Sequence, residues 1–226
     1  DCDERGRFKF APFFNEILGD RASLKNYLAN FELGVAMWRS LPEVLQLFKS
    51  GDTMQGVYDS ELSGLVAAIT QNIYLAFLYM ILPKYEDLKQ RLDDGIHFLD
   101  VGCGQANLIV QLALAFGNSR FVGVDCDAFG IEEAAKNISS RGLEGRVKVA
   151  HSGGEELPYQ NEFDMASMVL TLHELHPDIR RKVVAKVHDA IKDGGQLLVL
   201  DFPYPSRIED FRDPNYDFGV TDQFAE

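Results

Sequence analysis

The second half of the chain alternates short apolar runs with segments of helical length, and this alternation restricts the fold more than any other feature of the sequence. The runs span 97–101, 120–125, 146–151, 163–170 and 196–202, and the helical segments between them span 105–115, 128–140 and 177–191. The runs are rich in Val, Leu and Phe with little polar alternation, which is typical of strands covered on both faces. Joined by right-handed crossovers, they predict an α/β fold with a Rossmann-like, doubly wound parallel sheet.

The first half of the chain is predicted to be helical. Leu41-Pro42 has the pattern of a helix start with proline in the first turn, and Ser50-Gly51 has the pattern of a helix end. A short charged helix then leads to Asp93-Asp94-Gly95, where we expect the domain boundary. These expectations make residues 1–94 a helical region and residues 95–226 a Rossmann-like domain.

One apolar segment, residues 64–82, is long enough to cross a bilayer. Thr70, Gln71 and Asn72 lie in its middle, where polar side chains are expensive in hydrocarbon. Its apolar residues lie on all faces of a helix, which indicates burial in protein or in lipid. We expect a buried or subunit-interface helix and no membrane partner.

The composition disfavours several classes of protein. The chain carries 22 Lys and Arg against 35 Asp and Glu, a formal net charge of −13, so a nucleic-acid partner is not expected. Its three cysteines lack the spacing of a zinc site or a disulfide framework, and no other ligand-like set predicts a bound metal. The start without methionine or an apolar signal run indicates a clipped or internal beginning. We expect a cytoplasmic protein.

The ends of the predicted strands carry the residues that point to a ligand. Ligands of doubly wound sheets bind at the carboxyl ends of the strands, where the strand order reverses. Gly102 and Gly104 permit a tight turn and close approach of a ligand, while Asp100 before them disfavours a pyrophosphate and can attract an ammonium group. Asp125 ends the second run, 23 residues after Gly102, and can accept hydrogen bonds from both hydroxyls of a ribose. A nucleoside with a cationic amino-acid tail fits this arrangement better than a dinucleotide does.

At these positions the chain resembles the class I S-adenosylmethionine-dependent methyltransferases. Five segments between residues 98 and 202 follow the family order: FLDVGCG from Phe98, VGVD ending at Asp125, the loop 152–159, the strand and loop 163–175, and KDGGQLLV from Lys192. The helical first half is similar, more loosely, to the segment that precedes the catalytic domain of small-molecule methyltransferases. Such helices often cover the substrate or pair subunits.

The resemblance implies methyl transfer from S-adenosyl-L-methionine to a small-molecule acceptor by in-line displacement, with S-adenosyl-L-homocysteine as the product. It implies cofactor contacts by Asp100, Gly102, Cys103, Gly104, Asn107, Asp125, Cys126, Gly154, Glu155 and Met168. His173, in the loop over the reacting centre, is the candidate general base. The helices of residues 1–94 are expected to act as a lid and to form a homodimer.

Some residues depart from the family pattern. The usual third glycine is Ala106, at a helix-packing position, and the usual acidic residue of the adenine loop is Gly153. The tail 203–226 has three prolines and no strand-like run, so the last two strands of the family are not expected in it.

Two other functions stay open. An NAD(P)-dependent oxidoreductase could use the same turn and Asp125, but Asp100 and Ala106 disfavour it. The second alternative is a non-catalytic, cofactor-binding regulatory module.

Overall fold

The computed structural model describes residues 2, 4–7, 12–19, 27–51 and 59–216 of the chain. Contacts between residues divide the chain into two compact units, residues 1–76 and residues 77–226. The division lies before the boundary predicted at residues 93–95, because the helix that precedes that boundary packs within the second unit.

The first unit is helical where it is described. A short α1 (Pro12–Phe14) continues into a π-helical turn (Asn15–Gly19), and two long helices follow, α2 (Leu28–Ser50) and α3 (Ser60–Ala76). Arg39 on α2 donates to both carboxylate oxygens of Glu61 on α3 at 3.0 Å.

The ends of α2 test two predictions. The predicted helix end is confirmed, since Gly51 follows Ser50 in the left-handed conformation and its N–H donates to Leu47 O. The predicted start at Leu41-Pro42 is wrong, because α2 runs through Pro42. Proline removes one helical hydrogen bond and crowds the preceding turn, but it kinks a helix as often as it ends one.

A single helical period crosses this proline. Five large apolar side chains of α2 follow one another at intervals of three, four or seven residues, and all are exposed: Phe31, Val35, Trp38, Leu45 and Phe48. We call these residues the α2 stripe. The continuous period was the signal that a single long helix spans Pro42.

The apolar segment has a different environment from the one predicted. Within the described residues one helical stretch, Ser60–Lys84, is long and apolar enough to cross a membrane, and 22% of its most apolar window is buried. A helix enclosed in the protein interior is therefore not what the structure shows, and the subunit-interface helix stays a prediction. Thr70 in its middle donates from Oγ1 to Val66 O at 2.8 Å, so its hydroxyl is satisfied within the helix.

The second unit begins with a π-helical turn (Phe77–Ile81), a 3-10 turn (Leu82–Lys84) and α4 (Glu86–Asp94). Contacts with the sheet explain why α4 belongs to this unit. Leu92 is fully buried, and its carbonyl accepts a hydrogen bond from Ser119 Oγ at 2.6 Å.

All five predicted strands form. They are β1 (His97–Val101), β2 (Arg120–Asp125), β3 (Val147–His151), β4 (Phe163–Val169) and β5 (Ile191–Leu200). They pair in parallel in the order β3-β2-β1-β4-β5. The crossover helices are α5 (Asn107–Ala115), α6 (Ala128–Ser139) and α7 (Pro177–Ala190). The predicted α/β, Rossmann-like doubly wound sheet is confirmed.

The centre of the sheet is a closed hydrophobic core. Leu99 on β1 and Met168 on β4 are fully buried, and Val183 and Val187 of α7 pack into the same cluster with no exposed surface. This packing fixes the carboxyl ends of the central strands and the direction of α7.

The edge strand β5 is longer than predicted. It starts at Ile191 rather than Gln196, and its register against β4 shifts between Phe163 and Met165. Gly194, with φ +76°, provides the left-handed conformation in this irregular part. Residues 201–216 add two 3-10 turns and no strand, so the further strands of the family have no counterpart among the described residues.

Candidate active site

The candidate site lies at the carboxyl ends of β1 and β4, where the strand order reverses. Val101 is in register with Val124 on one side and with Met168 on the other. The loops that follow β1, β2 and β4 therefore leave the sheet side by side, at the place where doubly wound sheets bind their ligands.

The glycine turn after β1 is held against both neighbouring strands. Gly102 N and Cys103 N donate to Val124 O at 2.9 Å and 3.1 Å. Thr171, after β4, donates from Oγ1 to Val101 O at 3.1 Å. A Cβ at Gly102 would lie 2.3 Å from Thr171 Oγ1, and the φ of Gly102 is +76°, so this position requires glycine.

Asp125 joins the turn after β1 to the turn after β2. Its Oδ2 accepts from Gly104 N at 2.7 Å, and its Oδ1 accepts from Asp127 N at 2.8 Å. Burial raises the pKa of this carboxyl, and the hydrogen bonds from Asp127 N and Gly104 N oppose that rise. Each carboxylate oxygen has a second lone pair, so these bonds orient the group without exhausting its accepting capacity.

Asp100 is a buried acid under the turn. Its carboxyl is 3% exposed and accepts from Ser167 Oγ at 2.5 Å. The pKa of this carboxyl is raised to about 7. Burial is the largest cause, the hydrogen bond from Ser167 opposes it, and the charge of Asp125 adds to the rise. Two acids thus share a poorly solvated site, and a ligand with a positive charge would relieve their repulsion.

The two cysteines at the site differ in exposure. Cys103 is buried, and burial followed by the charges of Asp100 and Asp125 raises the pKa of its thiol well above the ordinary value. Cys126 is exposed, and partial desolvation and the charge of Asp125 raise the pKa of its thiol as well. A raised pKa disfavours the thiolate, so neither thiol is activated as a nucleophile. The backbone of Cys126 is held by His151, whose Nε2 lies 2.9 Å from its carbonyl oxygen.

The start of α5 explains one departure from the family pattern. Ala106 caps the helix with φ +60° and is fully buried, so the position needs a left-handed backbone as well as a small side chain. Only the packing reason was expected from the sequence. Asn107, a predicted cofactor residue, is the first residue of α5 and is half-buried.

Three predicted cofactor residues remain: Gly154, Glu155 and Met168. Gly154 opens a 3-10 turn (Gly154–Glu156), and a Cβ there would lie 2.8 Å from Val183 Cγ1, so glycine allows α7 to pack closely. The carboxylate of Glu155 occupies the space that a Cβ at Gly153 would take, in the loop after β3. The Met168 side chain belongs to the core, which leaves only its backbone for a ligand contact.

His173 lies in the loop after β4 and forms a pair with an acid that follows β5. Its Nδ1 lies 2.5 Å from Asp201 Oδ1, and both side chains are nearly buried. Asp201 Oδ2 also accepts from Leu172 N at 2.8 Å. Burial raises the pKa of Asp201, but the hydrogen bond from His173, that from Phe202 N and the positive charge that the ring carries when it is protonated bring the pKa below the ordinary value. The carboxyl is therefore an anion that holds the ring.

Sequence reasoning missed Asp201, although the signal was present. The residue directly follows β5, much as Asp125 stands at the end of β2, and the ends of the predicted strands were the expected place for a ligand. His176, by contrast, has a structural role, because its Nδ1 accepts from Asp178 N at 3.3 Å and caps α7. The described residues contain no group of three or more His, Cys, Asp or Glu that could hold a metal ion.

Comparison with known proteins identifies the domain. Residues 98–195 match the family described as "Methyltransferase domain". The N,N-dimethyltransferase OxyT of Streptomyces rimosus is 36% identical over 122 residues, which cover 51% of this chain and 34% of that protein. The demethylmenaquinone methyltransferase of Geobacillus kaustophilus is 30% identical over 125 residues, 54% of this chain and 52% of that protein. The chain thus spans about half or less of the length of these curated relatives.

Solved structures extend the likeness in fold. An O-methyltransferase family protein from Burkholderia thailandensis has a TM-score of 0.67 at 16% identity, covering 99% of this chain and 67% of that one. The mitomycin 7-O-methyltransferase MmcR has a TM-score of 0.65 at 17% identity, covering 98% of this chain and 65% of that one. Residues 98–195 therefore match a methyltransferase domain, and the sheet has the fold of the class I methyltransferases, the class that takes its methyl group from S-adenosylmethionine.

Proposed function

We propose that the protein transfers a methyl group from S-adenosylmethionine to a small-molecule acceptor, with His173 as the general base. The observation that carries the proposal is the His173–Asp201 pair at the sheet edge that also presents Asp100 and Asp125. These four residues lie at or after the carboxyl ends of four adjacent strands. An acid–base pair and two carboxylates suited to a cationic nucleoside therefore lie on the same side of the sheet, at the carboxyl ends of its strands.

The chain's residues fit this cofactor. Asp100 is a buried acid whose ionised form a cationic methionine moiety would stabilise. Asp125 can receive ribose hydroxyls on its second lone pairs, and the turn at Gly102 and Gly104 lets a ligand approach the backbone. Around these we place the remaining predicted contacts: Cys103, Asn107, Cys126, Gly154, Glu155 and the backbone of Met168. When bound, the sulfonium supplies an electrophilic methyl group, so the protein has mainly to align the reactants and exclude water.

His173 would accept the proton of an acceptor hydroxyl or amine. Its bond to Asp201 favours the tautomer with the proton on Nδ1, which leaves the lone pair on Nε2. The proton would move to Nε2 as the acceptor's electron pair bonds to the methyl carbon, while the carbon–sulfur bond of the donor breaks and leaves its electron pair on sulfur. The Asp201 carboxylate would stabilise the imidazolium that results. A base of this kind is needed when the acceptor group is protonated near neutral pH.

We further propose that residues 1–94 cover the acceptor and pair two copies of the chain. The α2 stripe supports pairing, because a contiguous row of exposed apolar side chains is typical of a protein–protein interaction surface. A groove of about 600 Å³ beside the stripe, between α2 and α3, is lined in part by Phe31, Val35, Leu65 and Ala68. We expect the apolar helix Ser60–Lys84 to serve in this interface rather than in a bilayer.

The proposed setting is the cytoplasm. The net charge of −13 supports a small molecule rather than a nucleic acid as the partner, because an acidic surface repels phosphate backbones.

The test is transfer of labelled methyl from S-adenosylmethionine to a panel of phenols, quinols and amines. We expect at least one acceptor to be methylated, and His173→Asn and Asp201→Asn to lower kcat by about 10²-fold or more, the range for loss of a general base. Because neither residue is placed against the cofactor, the affinity for S-adenosylhomocysteine should stay within a small factor of wild type.

His176→Asn is the matched control, since it lies close to His173 but serves as a helix cap that Asn can replace. Cofactor binding without product from any acceptor would favour the regulatory module. Unchanged turnover in His173→Asn would remove this residue from the mechanism.

A further inference from the structure

Arg180 contacts the loop that carries His173 and makes no contact that the proposed mechanism uses. Its Nη2 donates to Leu175 O at 2.8 Å and lies 3.5 Å from His173 O. The first distance is that of a full hydrogen bond, and the second is at the limit of one. These two carbonyls flank Glu174, so one guanidinium group holds the backbone on both sides of that residue.

The anchor behind Arg180 is rigid. The residue lies in the first turns of α7, which begins at Pro177 behind the His176 cap. One turn further along, Val183 has no exposed surface and packs in the core cluster with β1 and β4. The backbone of Arg180 is therefore fixed relative to the sheet, and the guanidinium reaches the loop from a rigid helix.

The loop needs such an anchor because its own backbone is irregular. It leaves β4 through Leu170, whose φ of +54° is rare for a residue with a branched side chain, and continues through turns to His176. Asp201 holds the start of the loop, through Leu172 N and the His173 ring. Arg180 supplies a side-chain hydrogen bond to the end of the loop, at Leu175 O.

The buried position of the Arg180 guanidinium lowers the stability of the fold. Arg180 Nε is buried and has no hydrogen-bond partner among the described residues. A buried unpaired donor is unfavourable, and a purely apolar side chain at this position would avoid it. This cost is accounted for if the protein needs the hydrogen bonds that Nη2 of the same guanidinium makes to the loop.

We infer that Arg180 is a positioning residue for His173, an inference that rests on the proposed function. Asp201 fixes the imidazole through its ring, and Arg180 fixes the carbonyl side of the same loop against α7. Together they keep Nε2 of His173 in one place relative to the strand ends.

The test reads the His173 ring directly, without an acceptor. The chain has five histidines, so their ring nitrogens can be followed by NMR in the presence of S-adenosylhomocysteine and His173 assigned by its loss in His173→Asn. In wild type we expect one tautomer, with the proton on Nδ1 protected from solvent exchange. Arg180→Met should speed this exchange by about tenfold, as expected for loss of charge-assisted hydrogen bonds, while Arg180→Lys should restore part of the protection.

Arg181→Met is the control, because Arg181 is the exposed neighbour on the same helix. A ring signal in Arg180→Met equal to that in Arg181→Met would overturn the inference. If Arg180→Met fails to fold, guanidinium proton exchange in the wild-type protein still tests the inference. Slow exchange of the Arg180 guanidinium protons relative to those of Arg181 supports the anchor, and equal exchange overturns it.

These results are independent of turnover. If Arg180→Met alters the His173 ring but no acceptor is methylated, the positioning role stands and the proposed function fails. If His173 proves essential to turnover and Arg180→Met leaves its ring unchanged, the proposed function stands and the inference fails.

Discussion

Replacement of Asp100 by Asn is expected to stabilise the free protein at alkaline pH and to weaken cofactor binding. The carboxyl is buried, and its amide replacement can keep the hydrogen bond from Ser167 Oγ without carrying a charge. In the folded protein the pKa of Asp100 is raised from 3.8 to about 7, chiefly by burial. The folded chain therefore holds a proton that the unfolded chain has lost, throughout the interval between these values.

The sign and size of the effect follow from this difference. The stability of the wild type falls as pH rises from about 4 to about 7 and is level above it, because the unfolded state binds fewer protons in that interval. At 1.36 kcal/mol per pKa unit, the full penalty is at most roughly 4 kcal/mol. Asp100→Asn avoids the penalty, so its advantage over wild type should approach this amount at pH 8 and shrink towards zero near pH 4.

The assay is urea unfolding of the free protein at pH 5 and pH 8, together with calorimetric titration of S-adenosylhomocysteine at pH 8. We expect a higher urea midpoint for Asp100→Asn at pH 8 and an affinity lower by about tenfold, since about 1.4 kcal/mol of ion pairing is lost. Asp87→Asn, an exposed acid of α4, is the control and should show no such pH dependence. A variant with the same advantage at both pH values, or with wild-type affinity, would refute the reasoning.

Three further substitutions test the fold of the second unit. Gly102→Ala should lower both the urea midpoint and the affinity for S-adenosylhomocysteine, because its Cβ would meet Thr171 at a positive φ, whereas Gly117→Ala has open space and should be near neutral. Arg146→Met should destabilise by roughly 2–3 kcal/mol, since the guanidinium donates to three backbone carbonyls near the end of α5, and a loss no larger than that in exposed Arg120→Met would contradict this role. Asp164→Asn should cost about 1 kcal/mol after solvent screening.

The last of these has a defined pH dependence. Burial raises the pKa of Asp164, but Lys192, the amide of His97 and the charge of Arg91 bring it below 3.8. The stabilisation is therefore present above the unfolded pKa and is lost as pH falls through the folded one. Unfolding midpoints measured from pH 2 to pH 7 should converge for wild type and variant at the acid end, and parallel curves would argue against the ion pair.

The strands could be predicted closely because they are buried on both faces. β1 and β2 begin and end at the predicted residues, and their composition leaves no other periodicity to compete. The start of β5 could not be predicted, because Lys192-Asp193-Gly194-Gly195 reads as a turn and joins the sheet only through an irregular register with β4. Pairing of that kind depends on the partner strand, which a local pattern does not contain.

The helical half was harder to predict because a local start signal and the helical period disagreed. Pro42 was interpreted as a helix start, whereas the α2 stripe on both sides of it follows the period of one continuous helix. Local start signals are weaker than a continuous helical period, and α2 shows which of the two decided the outcome.

The site divides in the same way. The positions of Asp100, Gly102 and Asp125 at the strand ends could be predicted because they follow from the strand pattern and from local conformation, while their roles stay predictions. The partners Ser167, Thr171, Arg180 and Asp201 could not, because each meets its target across strands or through a loop whose course depends on the folded core.

Calorimetric titration of the wild-type protein with S-adenosylhomocysteine and, separately, with NAD tests the central assignment most directly. Saturable one-site binding of S-adenosylhomocysteine, weakened by at least tenfold in Asp125→Asn, with no heat from NAD, is the predicted result. Binding of NAD in place of S-adenosylhomocysteine, or binding of S-adenosylhomocysteine that is indifferent to Asp125→Asn, would contradict it.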